Sequence, residues 1–443
     1  MVNINIPTHL TKEAQDLVSS LLDTRERELE VLAGLTEAQM LGLRDKTIEP
    51  PIWEMGHVGW FQEHWILRRL DQAEPIWPRA YRLYDSFNIP NAERWELAFP
   101  TEPETLDYIT GVLNCAVQRL AGRELTPQEI YFYRLAINHE DMHSETMVHI
   151  RQTLGYTQPA IAKTRPTPPI IDEDFEPHDV AIPGGTFMLG ATPDMPFVLD
   201  NEKWAHPIEI APFRISATPV TNAQYRAFVE AGGYQERSLW SDEGWAWRQA
   251  ARVEQPVFWQ RAADHSWRVH WFDQTRPLEP FLPMMHVNYF EASAFCAWAG
   301  RRLPTEAEWE LAAAGEPTAD GRGFKPGKRV YPWGSGFPTP ATANLDSAAL
   351  GPIDVRALPD GDSAFGCRQM IGNVWEWTAD TFDAYPGFEI DPYKEYSAPS
   401  FGQQKVLRGG CWVTRARVIR NTWRNFYTPD RNNIFAGFRT CAR

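Results

Sequence analysis

The stretch Tyr133-Arg-Leu-Ala-Ile-Asn-His139-Glu-Asp-Met-His143-Ser-Glu-Thr-Met147 decides how the chain is read. It reads as helix, and its two histidines stand four residues apart. At that spacing both imidazoles leave one helix face a turn apart, which is half of a metal site. Thr126-Pro127 starts this helix, and it ends near Gly155. Working outward, a second helix runs from about Trp53 to Leu70 and carries His57 and His64. Thr11 caps a helix to about Leu32, with Val18, Leu21, Leu22, Leu29 and Leu32 at helical spacing. Thr101 caps another, with Pro103 in its first turn, and residues 71–100 form a Pro- and Asn-punctuated loop. Four helices with apolar stripes predict a bundle over residues 1–155.

A third ligand is available on the second helix, in Trp53-Glu-Met-Gly-His57-Val-Gly-Trp-Phe-Gln-Glu-His64. Gly56 and Gly59 flank His57. A helix-interior glycine costs ~1 kcal/mol against Ala, so the pair marks a close approach by a neighbouring element or ligand. His64 is seven residues on, on the same face, and reads as a fourth ligand or a core histidine. His149 lies off the His139/His143 face. Glu140 completes H-E-x-x-H, the zinc-protease motif, but the further His or downstream Glu of those proteases is not evident. Three neutral imidazoles leave coordination positions open, as catalysis requires, and suit zinc, iron, copper and nickel alike.

The 443 residues suffice for two domains or one large one. The 5 cysteines are odd in number and include no C-x-x-C pair, so neither a disulfide framework nor a thiolate zinc site is expected. A net charge of -15 argues against nonspecific nucleic-acid binding and is no obstacle to a cationic substrate. No signal peptide and no membrane span are read, which makes the cytoplasm the default. Residues 156–178 are a linker or strap, since Pro159, Pro166, Pro168, Pro169 and Pro177 prevent a regular helix. From His178 short apolar runs alternate with Gly, Pro and Asn, and most of the tryptophans lie in this half. Helices are read at about Thr221–Ala231, at Tyr289–Ala299 and after Pro304-Thr305. Residues 179–443 are therefore expected to be an α+β domain with little regular structure.

At this point the residues resemble a family. The pairing of His57 with His139 and His143 resembles the DinB-like bundle of the ergothioneine sulfoxide synthases. The second domain resembles the formylglycine-generating (sulfatase-modifying, C-type-lectin-like) fold that those enzymes carry. Its marks include Ile182-Pro-Gly-Gly-Thr-Phe-Met-Leu-Gly190, Pro283-Met-Met-His-Val-Asn-Tyr289, Arg302-Leu-Pro-Thr-Glu-Ala-Glu-Trp-Glu310, Met370-Ile-Gly-Asn-Val-Trp-Glu-Trp377 and Gly437-Phe-Arg439. The resemblance covers nearly the whole chain, in order, and most of these motifs serve the fold.

The resemblance implies a non-haem iron(II) enzyme that uses dioxygen, with His57, His139 and His143 as metal ligands and the second domain covering the active site. The implied substrate is hercynine, the trimethylated betaine of histidine, joined to sulfur or selenium at the imidazole carbon between the nitrogens. Tyr393, in Asp391-Pro-Tyr-Lys-Glu-Tyr396, matches the tyrosine that supplies a proton or hydrogen atom. Tyr396, Phe426 and Trp412 would offer aromatic faces to the quaternary ammonium, and Asn425 would meet the carboxylate.

The departures concern the chalcogen donor. The branch using γ-glutamylcysteine holds it with two arginines, a glutamine and an aspartate. Here Asn91 and Arg94 stand at the arginine positions, Met142 at the glutamine and Tyr427 at the aspartate. The expected donor is therefore less charged, and the reading leans toward the selenoneine synthases, which take selenium from a selenosugar. Cysteine or γ-glutamylcysteine, as in ergothioneine synthesis, is the alternative. A formylglycine-generating copper site is disfavoured, because the partner position of Cys441 is Ala436. A DinB-type zinc thiol transferase and a non-catalytic lectin-like binding module are the remaining classes.

Overall fold

A computed structural model describes residues 4–166, 168 and 177–443. Pro169 of the expected linker lies outside the described residues. The chain divides into two compact units, Met1–Ala162 and Lys163–Arg443.

The first unit is built on α1 (Lys12–Leu32), α2 (Pro51–Gln62), α3 (Glu102–Arg119) and α4 (Pro127–Thr153). Its starts follow from side chains that satisfy the otherwise unpaired first-turn amides. Thr11 accepts from the Ala14 N–H, while Thr101 with Glu104 and Thr126 with Glu129 form capping boxes. α2 packs against α3 and α4, and α1 against α4. Every residue of α2 is buried, so it is the central helix and is apolar nearly all round.

The helix that begins as α2 does not run to Leu70 as one regular α-helix. It widens into a π-helical segment, Glu63–Arg68, and closes with a last turn at Arg69–Asp71. The loop after it also holds structure, a 3₁₀ helix at Pro78–Arg82 and a turn of helix at Asn91–Arg94. Proline at the first position is compatible with helix, which is how a Pro-punctuated segment contains it.

The two glycines beside His57 are explained by neighbouring side chains. A Cβ on Gly56 would stand 2.1 Å from Cζ of Tyr84, and one on Gly59 would stand 2.5 Å from Cγ2 of Ile109. Tyr84 and Ile109 are themselves fully buried. The glycines let the Tyr84 loop and α3 lie directly on α2.

The second unit has short strands and capped helices. One sheet orders its strands Asp179–Ile182, Phe213–Ser216, Cys441–Ala442 and Arg301–Arg302. A second orders Asn425–Tyr427, Lys405–Arg408, Trp375–Thr381 and Ala436–Gly437. The three expected helices are Asn222–Glu230, Tyr289–Trp298 and Glu306–Ala314, each with a capping box. A fourth, Asp242–Ala251, has only Gly244 buried, and so lacks the apolar stripe that would have marked it in the sequence.

Buried charge ties these pieces together. Arg408 pairs with Glu306 at 2.8 Å and with Glu310. Arg424 reaches Glu306 at 2.7 Å, and Arg439 reaches Glu376 at 2.6 Å. Glu306, Glu310, Glu376 and Arg439 lie in motifs that carry the family resemblance, and the pairs join the helix Glu306–Ala314 to the strand ending at Arg408 and to Arg424 beside the strand Asn425–Tyr427, and the strand Trp375–Thr381 to Arg439.

Gly56→Ala is expected to destabilise the protein by about 1–3 kcal/mol, because overpacking against the immobile Tyr84 ring outweighs the gain in helix propensity. Urea unfolding monitored by tryptophan fluorescence measures it. A variant as stable as the parent would refute this account of the glycine.

Candidate metal centre and tyrosine loop

α4 presents His139 and His143 one turn apart, and α2 brings His57 to them. The ring centroids are 4.3 Å apart for His139–His143, 4.8 Å for His57–His143 and 5.0 Å for His57–His139. One potential ligand atom from each lies within 4.8 Å of the other two. Ligands on one first-row ion stand ~2.1 Å from it, hence at most ~4.2 Å apart. Small side-chain adjustments therefore bring all three onto one ion.

The remaining ring nitrogens are positioned. Nδ1 of His57 is 2.9 Å from the Tyr84 carbonyl. Nδ1 of His143 meets the Glu54 carboxylate. In both rings Nε2 is the nitrogen left for a metal. Trp53 stacks on His57 at 4.4 Å and 12°, and Phe61 stacks on His139 at 3.5 Å and 2°. Burial, and then the neighbouring His143, hold the pKa values of His57 and His139 well below the ordinary histidine value. Their lone pairs are thus available to a metal at neutral pH. Three converging, oriented imidazoles fit a mononuclear metal with open coordination positions.

His64 is not among them. Its ring packs against Trp60, Trp65 and Phe87 at 4.9–5.4 Å. Seven residues of helix carry it ~10.5 Å along the axis from His57, too far to share an ion although the face is the same. Glu140, the residue that completes the protease-like motif, is bound by Arg25 through contacts of 2.7 and 3.2 Å. It is thus held away from a general-base role.

The donor-side positions are placed as follows. Asn91 is exposed, and Met142 is half-buried beside His143. Arg94 is buried; it pairs with Glu49 at 3.0 Å, donates to the Ile89 carbonyl and lies 4.0 Å over the Trp53 ring.

In the second unit Tyr393 and Tyr396 lie 5.5 Å apart, and Tyr396 meets Phe426 edge-on at 5.3 Å. Phe426 stacks on Phe382 at 4.0 Å. The Asn425 side-chain oxygen accepts from the Phe426 N–H at 2.8 Å, which leaves its NH₂ as a donor. Burial and then Tyr393 push the Tyr396 phenol well above its ordinary pKa. Tyr427 packs under Arg431, while Trp412 sits in a separate aromatic group with Trp271 and Phe435. Cys441 is buried in a strand with its thiol pushed up to about 12, chiefly by burial, and Ala436 is buried.

Asp200 fastens the tyrosine loop at both ends. One carboxylate oxygen accepts from the Asp391 N–H at 3.4 Å, and the other accepts from the Ser397 hydroxyl. Lys203 adds an ion pair to Asp391 at 2.5 Å. The next residue, Asn201, gives its carbonyl to Arg424 at 2.7 Å, which anchors the strand carrying Asn425 and Phe426.

Glu54, Tyr84, Trp53, Phe61 and Asp200 were not singled out from the sequence. Glu54 had a readable signal, since it precedes His57 by three residues and shares its face. Tyr84 and Asp200 had none, because tertiary packing alone brings them in.

Residues 169–443 match the sulfatase-modifying factor enzyme 1-like domain family. The chain is 38% identical over 432 residues to the hercynine oxygenase of Mycolicibacterium thermoresistibile, covering 96% of this chain and 94% of that protein. It is 37% identical to the hercynine oxygenase of Mycobacterium tuberculosis, covering 96% and 98%. The formylglycine-generating enzyme of Thermomonospora curvata is 33% identical over 59% of this chain and 92% of its own. Three converging histidines and a sulfatase-modifying-type domain on one chain define a non-haem iron oxidoreductase. Within that class, the chain belongs to the hercynine oxygenase family.

The metal-free protein is expected to lose stability below pH ~6.5. There the unfolded histidines take up protons while His57 and His139 in the folded state do not. Each contributes up to about 1.4 kcal/mol per pH unit, present in full above that pH and lost as pH falls. Urea midpoints from pH 7.5 to 5 should drop, and His139→Ala should make the profile shallower. Asp200→Ala is expected to speed amide hydrogen exchange in residues 391–397 while exchange in α2 and α4 stays unchanged. Equal exchange in the loop would show that Asp200 does not hold it.

Proposed function

We propose that this chain is an oxygenase that joins a sulfur to the imidazole carbon of hercynine and oxidises that sulfur with dioxygen. The observation that carries the reading is the convergence of His57, His139 and His143 in a chain 37–38% identical, over 96% of its length, to hercynine oxygenases. These three imidazoles would hold iron(II), which supplies the redox chemistry that dioxygen requires. Holding both reaction partners side by side would make carbon–sulfur bond formation effectively intramolecular.

The remaining roles fall to side chains. Tyr396 and Phe426 turn aromatic faces to the trimethylammonium group, which cannot donate a hydrogen bond and gains ~0.5–2 kcal/mol from each face. Asn425 offers its NH₂ to the carboxylate. Trp412, in its separate group, supports the domain core rather than the ammonium. Tyr393 delivers the proton or hydrogen atom during oxidation. Replacing it by Phe is expected to slow product formation by ~10²-fold, in the range for a general acid, and to change the product ratio. An unchanged rate and ratio in single-turnover assays would remove Tyr393 from the chemistry.

For the donor, the relatives favour a thiol. A small one such as cysteine suits the site, since Arg94 is already neutralised by Glu49 and Asn91 adds no charge. Carbon–selenium bond formation from a selenosugar is the second reading. It rests on Asn91, Met142 and Tyr427 at positions where a charged peptide would need partners. A competition decides between them: anaerobic iron-loaded protein is given hercynine with cysteine, γ-glutamylcysteine and a selenosugar, air is admitted, and products are identified by mass. A cysteine-conjugate sulfoxide as main product is expected. A dominant selenium product would instead assign the chain to selenoneine synthesis.

A further inference from the structure

We propose that Glu54 is the positioning residue of the metal centre. Its carboxylate accepts the Nδ1–H of His143, selects the tautomer that leaves Nε2 for the metal, and makes His143 a more electron-rich ligand than His57. The inference rests on reading the three histidines as a metal centre and assigns a role to a residue outside the ligand set.

The argument begins with burial. Glu54 is 2% exposed, on a helix with every residue buried. A carboxylate in such surroundings is strongly disfavoured unless it is paired and hydrogen-bonded. The partner that meets it is Nδ1 of His143, on the neighbouring helix α4. The geometry of α2 makes the pairing possible. Glu54 precedes His57 by three residues and so shares its face. One rigid helix thus carries a ligand of its own and the group that orients a ligand of its neighbour.

The two oriented ligands are not equivalent. His57 gives its Nδ1–H to a neutral carbonyl, that of Tyr84. His143 gives its Nδ1–H to a carboxylate. A hydrogen bond with an ionised acceptor is roughly twice as strong as one between neutral groups. It draws the proton toward Glu54 and raises the basicity of Nε2. Groups that orient metal-bound histidines in this way typically change metal affinity by ~10–100-fold when removed.

The test is metal affinity measured without turnover. Glu54→Gln keeps an acceptor of the same shape and loses the charge, whereas Glu54→Ala loses both. His143→Ala is the reference. Iron(II) affinity is measured anaerobically by competition with a chromogenic chelator. The visible spectrum of the cobalt(II)-loaded proteins reports the ligand field. Circular dichroism and the melting of the metal-free forms establish that each variant is folded. The expected result is a loss of ~10-fold for Glu54→Gln and up to ~100-fold for Glu54→Ala, with an altered cobalt spectrum in both. Should Glu54→Ala fail to fold, the near-isosteric Glu54→Gln carries the test. Parental affinity and spectrum in a folded Glu54→Gln would overturn the proposal. If His143→Ala binds iron(II) weakly in that case, the three-histidine reading survives and only the role of Glu54 falls. If His143→Ala also binds as the parent does, the centre itself has been misread.

Discussion

Three imidazoles converging in one apolar bundle, two of them fully buried, set the terms for everything around them. Protonating them together would place like charges at centroid distances of 4.3–5.0 Å in largely buried surroundings. His57 and His139 are therefore kept neutral, every ring needs turning, and the second nitrogens of His57 and His143 need partners. α2 meets both needs. Its Gly56 admits the Tyr84 ring, which brings the Tyr84 carbonyl to His57. Its Glu54 meets His143, and its Trp53 and Phe61 stack on His57 and His139. The site is thus held by packing as much as by its hydrogen bonds, and it can stand ready before a metal arrives.

The second unit solves a different problem with the same economy of means. Its strands are short, so sheet hydrogen bonding alone cannot order its loops. Buried arginine–carboxylate pairs do that work instead, with Glu306 shared between Arg408 and Arg424. Such pairs contribute little net stability against a hydrophobic replacement, but losing one partner is strongly destabilising. They fix which loop meets which. Asp200, itself buried, extends the same logic to the tyrosine loop, which its two oxygens hold at Asp391 and at Ser397.

Much of this could be read in advance. The i,i+4 histidines, the glycines around His57 and the Thr/Glu capping boxes are local signals, and local signals survive in a linear chain. The ordered motifs of the second half carried the family resemblance for a related reason: their glycines, tryptophans and acid–arginine pairs are fold requirements. The π-helical segment after Gln62 and the helix Asp242–Ala251 escaped notice because neither has an apolar period that announces it. His64 shared a face with His57, but a face gives angle and not distance along the axis.

The sequence by itself determined the class of the fold, the helices of the first unit, the ligand candidates and the family. It could do so because periodicity, capping and motif order depend on residues close together in the chain. Only the tertiary structure decided that Glu54 orients His143, that Arg25 holds Glu140 away, that Arg94 is neutralised by Glu49 and that Asp200 spans the tyrosine loop. Each of these is a contact between residues tens to hundreds of positions apart, made only because a buried charge must find a partner wherever the packed chain supplies one.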